Sequence, residues 1–336
     1  MSLSFTPKPA STLVDRFANW ENFLAVLTLA TIAYAVVSVP NFLSLFNISE
    51  AIAGASERAL IVLPMVLLII ARQIDLSVAS ILALTSVIFG VMTRAGVPLP
   101  VAIVAAIFAG GLCGAFNGVL VTGLGLPSLV VTLGTLAMFR GVGYIILGSA
   151  SVNEFPESFL DFGVNTLGPI PWTIVPFLIL APIFAIVLQK MPPGRRIYMM
   201  GGNPDAARYS GIRLDRTTFW LFVISGLVCA LAGIVFTARL ANARANNALG
   251  LELDVITIAL LGGINVFGGR GKLTGVFWAL LLVATIRNVL GLLRIGGDGQ
   301  STVIGLLLIV SLLASNAAEH LFANRTTKRA LSRTAE

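Results

Sequence analysis

Long apolar runs alternate along the chain with short polar segments that are rich in glycine, proline and charge. Ten of these runs approach the length of about 20 residues that a helix needs to cross a membrane. They predict spanning helices at residues 22–39, 52–71, 76–94, 99–122, 128–149, 172–190, 217–238, 252–267, 274–293 and 301–320. The run 252–267 is short and rich in glycine, and we interpret residues 40–51 as an interfacial turn. The pattern predicts an all-α membrane protein with one transmembrane domain, 22–320, between polar segments 1–21 and 321–336.

Composition supports this interpretation. Of the 336 residues, 57% are hydrophobic and 11% are charged, whereas soluble domains contain about 25% charged residues. Soluble dinucleotide-binding domains, nucleases and hydrolases are therefore disfavoured. Cys113 and Cys229 lie in apolar runs without disulfide or metal-ligand spacing, and His320 is the only histidine, so we expect no metal site. The N-terminal segment lacks the features of a signal peptide, so we expect the first span to be retained.

The distribution of Lys and Arg predicts the orientation. With the N-terminus in the cytoplasm and ten alternating spans, 15 of the 22 basic residues fall inside, 4 fall outside and 3 fall within spans. Cytoplasmic loops of membrane proteins carry such an excess of positive charge. Both termini and residues 191–216 are thus predicted to be cytoplasmic. The net charge of +7 follows from this topology and does not require a nucleic-acid partner.

Ionisable residues in or beside the predicted spans are candidate functional groups, because charge is costly there. We interpret Arg58 and Arg287 as structurally paired, while a structural and a functional role both remain open for Arg140. The candidate structural or gating residues are Asp75, Ser77, Glu252 and Asp254.

Other polar side chains lie scattered in the apolar background. The candidates for lining a solute path are Asn117, Thr132, Thr135, Arg140 and Asn265. The hydroxyl and amide groups could equally be hydrogen-bond partners between helices. Runs of small residues, such as AGGLCGAFNG at 109–118 and SGLVCALAG at 225–233, predict close helix packing.

The sequence GGRGKLTG at 268–275 only superficially resembles a phosphate-binding loop. A Walker A motif needs glycine five residues before Gly271 and Ser or Thr after Lys272, and this chain has Val266 and Leu273 there. We interpret the stretch as a tight cytoplasmic turn. If ATP drives this protein, another chain must hydrolyse it.

Residues 191–216, MPPGRRIYMMGGNPDAARYSGIRLDR, form a basic segment between two spans. The Pro-Pro-Gly sequence at 192–194 predicts the end of the preceding span. Asn203 predicts an N-cap, Pro204 the first helical position, and Gly211 the end of a helix of about two turns. Such a short helix is unstable alone, so it must pack on its own spans or on a partner.

Several segments together resemble sugar ABC importer permeases of the ribose/arabinose/galactose type, in the branched-chain-like permease superfamily. They are GRRIYMMGGNPDAARYSGI (194–212), IDLSVAS (74–80), LPSLVVTLGTLAMFRGVGYIILG (126–148) and ELDVITIALLGGINVFGGRGKLTG (252–275). The similarity runs over residues 50–320. One departure is Arg72-Gln73, where the family commonly has a pair of glycines.

The resemblance implies a permease subunit in a bacterial inner membrane, with the ten-helix fold of vitamin B12 permeases. A second permease copy or a paralogue, a cytoplasmic ABC ATPase that holds ATP and Mg, and a periplasmic sugar-binding protein would be its partners. Residues 191–216 would then be a coupling segment that docks on the ATPase. By this resemblance the coupling residues are Gly194, Arg195, Arg196, Gly201, Gly202, Asn203, Pro204, Asp205, Ala206, Ala207, Arg208 and Gly211.

The solute is less well specified than the class of transporter. Residues 149–163 and the sequence RQIDLSVAS are most similar to rhamnose permeases, with autoinducer-2 permeases next and ribose or another pentose as a further alternative. A secondary transporter without an ATPase is a competing hypothesis, although no helix carries the Asp, Glu and His series of proton-coupled transporters. The acidic segment 150–171 is a candidate contact for the binding protein, or simply an outer loop.

Overall fold

A computed structural model describes residues 20–307 and 309–310 of the chain. Its elements are α1 (Trp20–Ser38), α2 (Leu45–Ile70), α3 (Val78–Arg94), α4 (Leu99–Gly123), α5 (Ser128–Leu147), α6 (Glu157–Val164), β1 (Thr166–Leu167), β2 (Ile170–Pro171), α7 (Val175–Lys190), α8 (Pro192–Gly202), α9 (Pro204–Tyr209), α10 (Leu214–Leu240), α11 (Leu251–Leu261) and α12 (Leu273–Leu292). Residues 297–307 are also helical, whereas the end of the predicted tenth span, with His320, lies outside the described residues.

Seven helical stretches in the described part are long and apolar enough to cross a membrane: α1, α2, α4, α5, α7 with the 3-10 turn that precedes it, α10 and α12. Helix α3 is also apolar but has 17 residues. Strands β1 and β2 form only a two-residue antiparallel ladder. The chain is therefore an all-α membrane protein. Seven of the predicted ranges agree with observed helices within three residues at each end.

The interpretation of residues 40–51 as an interfacial turn is wrong from Leu45 onward. Helix α2 begins there because Ser44 Oγ accepts a hydrogen bond from the backbone N–H of Asn47 (3.2 Å). Asn47 and Glu50 lower the hydropathy of this stretch, but the serine cap starts the helix about two turns before the apolar run.

The predicted span 252–267 is wrong at its C-terminal end. Helix α11 has 11 residues and ends at Leu261, with Gly262 as the C-cap and Gly263 at a φ of +84°. Glycine takes this left-handed conformation without a clash at Cβ, so the helix stops here. The residues that follow form a turn up to Leu273.

Helices α2 and α10 form the centre of the bundle. In their most apolar windows 78% and 67% of the residues are buried, whereas the value is 17% for α1 and 28% for both α4 and α5. Helix α10 packs along α4, α2 and α3, and α12 packs against α1 and α2. The outer helices leave large apolar side chains exposed, as expected of helices that face lipid.

The contact between α4 and α10 depends on glycine. A Cβ added at Gly114 would overlap with the carbonyl oxygen of Phe222, and one added at Gly226 would overlap with that of Gly110. The two backbones therefore touch directly, which larger residues would prevent. The close packing predicted for the two small-residue runs is observed.

The bundle has two distinguishable ends. At one end the start of α1 lies beside the end of α11, where Trp20 Nε1 donates to the Leu261 carbonyl (2.7 Å). The end of α2 and the turn 262–272 meet there too, because the Gly269 N–H donates to the Ile70 carbonyl (2.8 Å). These segments are the ones that the charge distribution assigns to the cytoplasm.

Candidate functional site

The coupling segment folds into two short helices, α8 and α9. Helix α7 ends at Lys190, and Pro192 and Pro193 occupy the first two positions of α8. Proline suits these positions because the amide there has no helical partner. The prediction that Pro-Pro-Gly only ends the preceding span is therefore incomplete, since it also starts a helix.

Helix α9 has the predicted caps. Asn203 Oδ1 accepts a hydrogen bond from the Ala206 N–H (3.0 Å), and Pro204 is the first helical residue. At the other end Gly211 has a φ of +81°, and its N–H donates to the Arg208 carbonyl (3.0 Å). Both ends of this six-residue helix are thus fixed by local hydrogen bonds.

The coupling segment is attached to the transmembrane helices through Gly201 and Gly202. Arg72 donates from Nε to the Gly201 carbonyl (2.7 Å) and from Nη2 to the Gly202 carbonyl (3.0 Å). Arg72 has a φ of +62°, a backbone conformation that glycine adopts more readily than arginine. A Cβ at Gly201 would overlap with the Ile70 carbonyl oxygen and the Gly269 nitrogen.

Tyr198 of α8 makes a second attachment. Its hydroxyl donates to the Gly271 carbonyl (2.7 Å), in the turn that follows α11. A phenol is protonated at neutral pH and can donate, and burial raises the pKa of the Tyr198 phenol further. The coupling segment therefore contacts both the end of α2 and the turn 262–272.

The predicted coupling residues fall into two groups by exposure. Gly194, Gly201 and Ala207 are buried against the chain itself, and Pro204 is half-buried. The exposed members, which a partner can reach, are Arg195, Arg196, Gly202, Asn203, Asp205, Ala206, Arg208 and Gly211.

Sequence reasoning missed Tyr209, which ends α9 with 92% of its surface exposed. The available signal was an aromatic residue within a short, capped polar helix.

Asp75 and Ser77 lie in a buried polar cluster. Asp75 Oδ1 accepts hydrogen bonds from the Ser77 N–H (3.0 Å) and Oγ (2.6 Å), and Oδ2 accepts one from Ser225 Oγ (2.9 Å). Asn117 Nδ2 donates to Ser77 Oγ (2.8 Å). The cluster joins the start of α3 to α4 and α10. Sequence reasoning missed Ser225 because it lies in a run of small residues.

Three other candidates for a solute path make hydrogen bonds within the chain. Thr132 Oγ1 donates to the Ile74 carbonyl (3.2 Å), and Thr135 Oγ1 donates to the Thr132 carbonyl (3.4 Å). Asn265 lies in the turn after α11, where its Oδ1 accepts from the Phe267 N–H (2.8 Å). Thr132 thus bonds to another segment of the chain, whereas Thr135 and Asn265 bond within their own helix and their own turn.

Arg140, midway along α5, donates hydrogen bonds to the loop between α10 and α11. Its Nη1 donates to the carbonyls of Ala245 (2.9 Å) and Asn247 (2.7 Å). Glu252, in the first turn of α11, interacts with Arg140 electrostatically. These contacts support the structural interpretation of Arg140, which the sequence left open beside a functional one.

Asp254 is shared by two arginines inside the bundle. Arg58 Nε donates to Asp254 Oδ2 (2.9 Å), and Arg287 Nη2 donates to Oδ1 (2.7 Å) and Oδ2 (2.6 Å). Nearby, Arg239 Nε pairs with Glu57 Oε1 at 2.7 Å. Mutual pairing offsets the cost of burying these charges, as interpreted for Arg58 and Arg287.

The turn at 268–275 has no free phosphate-binding amide at Gly269, because that N–H donates to Ile70. Within residues 20–307 and 309–310, no three His, Cys, Asp or Glu side chains are grouped as metal ligands would be.

Comparison with known proteins identifies a family. Residues 47–312 match the family model described as branched-chain amino acid transport system / permease component. An autoinducer 2 import system permease protein of Klebsiella pneumoniae is 33% identical, over 93% of this chain and 96% of that protein. The D-allose transport system permease protein of Escherichia coli K12 is 36% identical, over 87% of this chain and 90% of that protein. No solved structure matches the chain.

These relatives and the seven apolar spans establish a multi-pass protein of the inner membrane. The family match covers most of the chain, including the bundle centre and the coupling segment. The chain therefore belongs to the family of branched-chain amino acid transport system permease components.

Proposed function

We propose that this chain is the membrane-spanning subunit of an ABC importer for a small sugar-like solute. The observation that carries this proposal is the coupling segment, which is capped, attached to the bundle at two points and exposed on its other side. Because the chain lacks a Walker A motif, the energy for transport would enter through this segment from a separate ATPase.

Autoinducer 2 is the solute we propose first. A relative that covers nearly the whole chain is named for its import, which supports this alternative over the expected rhamnose. D-allose is the second candidate, because a 36% identical relative is named for it. Neither relative is named for rhamnose.

The attachment points suggest how a movement of the ATPase would reach the solute path. Arg72 follows α2, the most buried of the spanning helices, so a displacement of Gly201 and Gly202 would act directly on the bundle centre. Tyr198 would pass the same displacement to the turn before α12. A second permease copy or a paralogue, and a periplasmic binding protein at residues 150–171, would complete the importer.

Charge reversal on the coupling segment tests the docking role. We expect the Arg196→Glu, Asp205→Arg double variant to lose copurification of the ATPase and ATP-dependent uptake, since both side chains are exposed. The matched control is Arg94→Glu, at the opposite end of the bundle. Unchanged copurification and uptake in the double variant would show that the docking assignment is wrong.

A further inference from the structure

The turn 262–272, between α11 and α12, exposes a large apolar side chain at its tip. Phe267 is 80% exposed, more than any other phenylalanine among the described residues, and Val266 beside it is 38% exposed. Single exposed apolar side chains are common on protein surfaces. Two further features distinguish Phe267, namely how the turn holds it and what the turn contacts.

Hydrogen bonds within the turn fix the position of Phe267. The Phe267 N–H donates to Asn265 Oδ1 (2.8 Å), and the Gly268 N–H donates to the Asn265 carbonyl (2.9 Å). The Asn265 N–H donates to the Arg270 carbonyl (3.1 Å), which closes the loop. A backbone that is already held in place loses little conformational entropy on binding, so the turn presents Phe267 in a form suited to a partner.

The inner side of the turn lies on the bundle centre and on the coupling segment. The Gly269 N–H donates to the Ile70 carbonyl at the end of α2 (2.8 Å), and a Cβ added at Gly269 would overlap with Gly202. The turn thus touches the junction between α8 and α9, and Tyr198 bonds to it from α8. Its position at the end of the most buried spanning helix favours water over lipid for the outer side of the turn.

The turn and the coupling segment form one surface with an excess of positive charge. Arg270 and Lys272 are exposed in the turn, and Lys272 pairs with Glu21 at 2.8 Å. The coupling segment exposes three arginines and one aspartate among its predicted coupling residues. An apolar tip with basic surroundings fits a partner surface in which acidic side chains edge an apolar pocket.

We propose that the turn 262–272 is a second docking site for the ATPase, with Phe267 as the anchor in an apolar pocket of that subunit. The proposal rests on the proposed function, in which a separate ATPase docks on the coupling segment. The chain's own residues 1–19 fit this surface less well, since Lys8 and Arg16 outnumber Asp15 there. Docking at both places lets one movement of the ATPase act on α8 and α9 and, through the turn, on the start of α12.

The affinity for the ATPase tests the anchor. The full-length permease in lipid nanodiscs is titrated with the ATPase that copurifies with the unmodified chain. Phe267→Ala is expected to weaken binding about tenfold, because it removes a ring that the partner's pocket would bury. The temperature of unfolding should not change, since the ring makes little contact with its own chain.

The matched control is Phe46→Ala. Phe46 is 78% exposed in the first turn of α2, at the opposite end of the bundle, so its loss should leave the affinity within about twofold. An affinity of Phe267→Ala equal to that of the unmodified chain would overturn the second docking site. If no ATPase copurifies with the unmodified chain, the proposed function itself is refuted.

Crosslinking identifies what covers the turn. A photoreactive phenylalanine analogue at position 267 keeps an aromatic ring at the tip, and irradiation of the complete importer in nanodiscs is expected to join the permease to the ATPase. The same analogue at position 46 should give no such product. Adducts of position 267 with lipid alone, or with residues 1–19 of this chain alone, would overturn the proposal while leaving docking on the coupling segment intact.

Discussion

At the scale of single residues, the charges inside the bundle are tolerated because they pair across helices. Asp254 is 33 residues from Arg287 and 196 residues from Arg58, and Glu57 is 182 residues from Arg239. The sequence identified Asp254 and the two arginines as costly in a membrane. It could not assign their partners, because these contacts exist only once α2, α10, α11 and α12 have packed.

Removing the shared carboxylate should be severe. In Asp254→Ala, both Arg58 and Arg287 lose their acidic partner inside the bundle, and we expect a loss of about 3–5 kcal/mol in the free energy of unfolding. Denaturant unfolding in detergent measures this loss. The control is Lys272→Ala, which breaks the exposed Lys272–Glu21 pair and should cost at most about 1 kcal/mol. Equal effects of the two substitutions would contradict the structural role of Asp254.

Neighbouring glycines in the coupling segment should respond differently to the same substitution. A Cβ at Gly201 overlaps with the backbone of Ile70 and Gly269, whereas a Cβ at Gly202 meets no atom within 4 Å. We expect Gly201→Ala to displace α8 and abolish uptake, and Gly202→Ala to retain uptake within about twofold. Proteolysis of the segment in detergent reports the displacement, and equal resistance of both variants would argue against this attachment.

At the scale of elements, the sequence predicted helices well wherever hydropathy changed sharply at their ends. It failed where local chemistry overrode hydropathy. Ser44 starts α2 within the stretch predicted as an interfacial turn, Gly263 ends α11 within an apolar stretch, and Pro192 starts α8 where we predicted only a helix end. The capped helix α9 was predictable because its signals are local to Asn203 and Gly211.

Helix α9 presents Tyr209, and exposed aromatic residues often dominate binding interfaces. We expect Tyr209→Ala to weaken ATPase binding by about 2 kcal/mol, roughly 30-fold, because the side chain makes little contact with its own chain. Titration of the purified permease with the ATPase measures this change. Tyr34→Ala is the control, since Tyr34 is 66% exposed on α1, away from the coupling segment. An unchanged affinity of Tyr209→Ala would place the contact elsewhere.

At the scale of the whole molecule, charge and packing identify the same two ends. The positive-inside rule depends only on local composition, so the sequence could group residues 191–216 with the turn 262–272. The amide pair of Asn47 and Asn288, which joins α2 to α12, could not be predicted, because the two residues are 241 positions apart. Under the proposed function, the cytoplasmic end would meet the ATPase and the opposite end would receive the solute.

The most direct test of this account is solute flux in proteoliposomes that contain the chain alone or with its ATPase and binding protein. If energy enters only through the coupling segment, the complete importer should accumulate autoinducer 2 or D-allose in an ATP-dependent way. It also predicts no accumulation and no ATP hydrolysis by the chain alone. Solute accumulation by the chain alone, driven by an ion gradient and without ATP, would contradict the account and favour a secondary transporter.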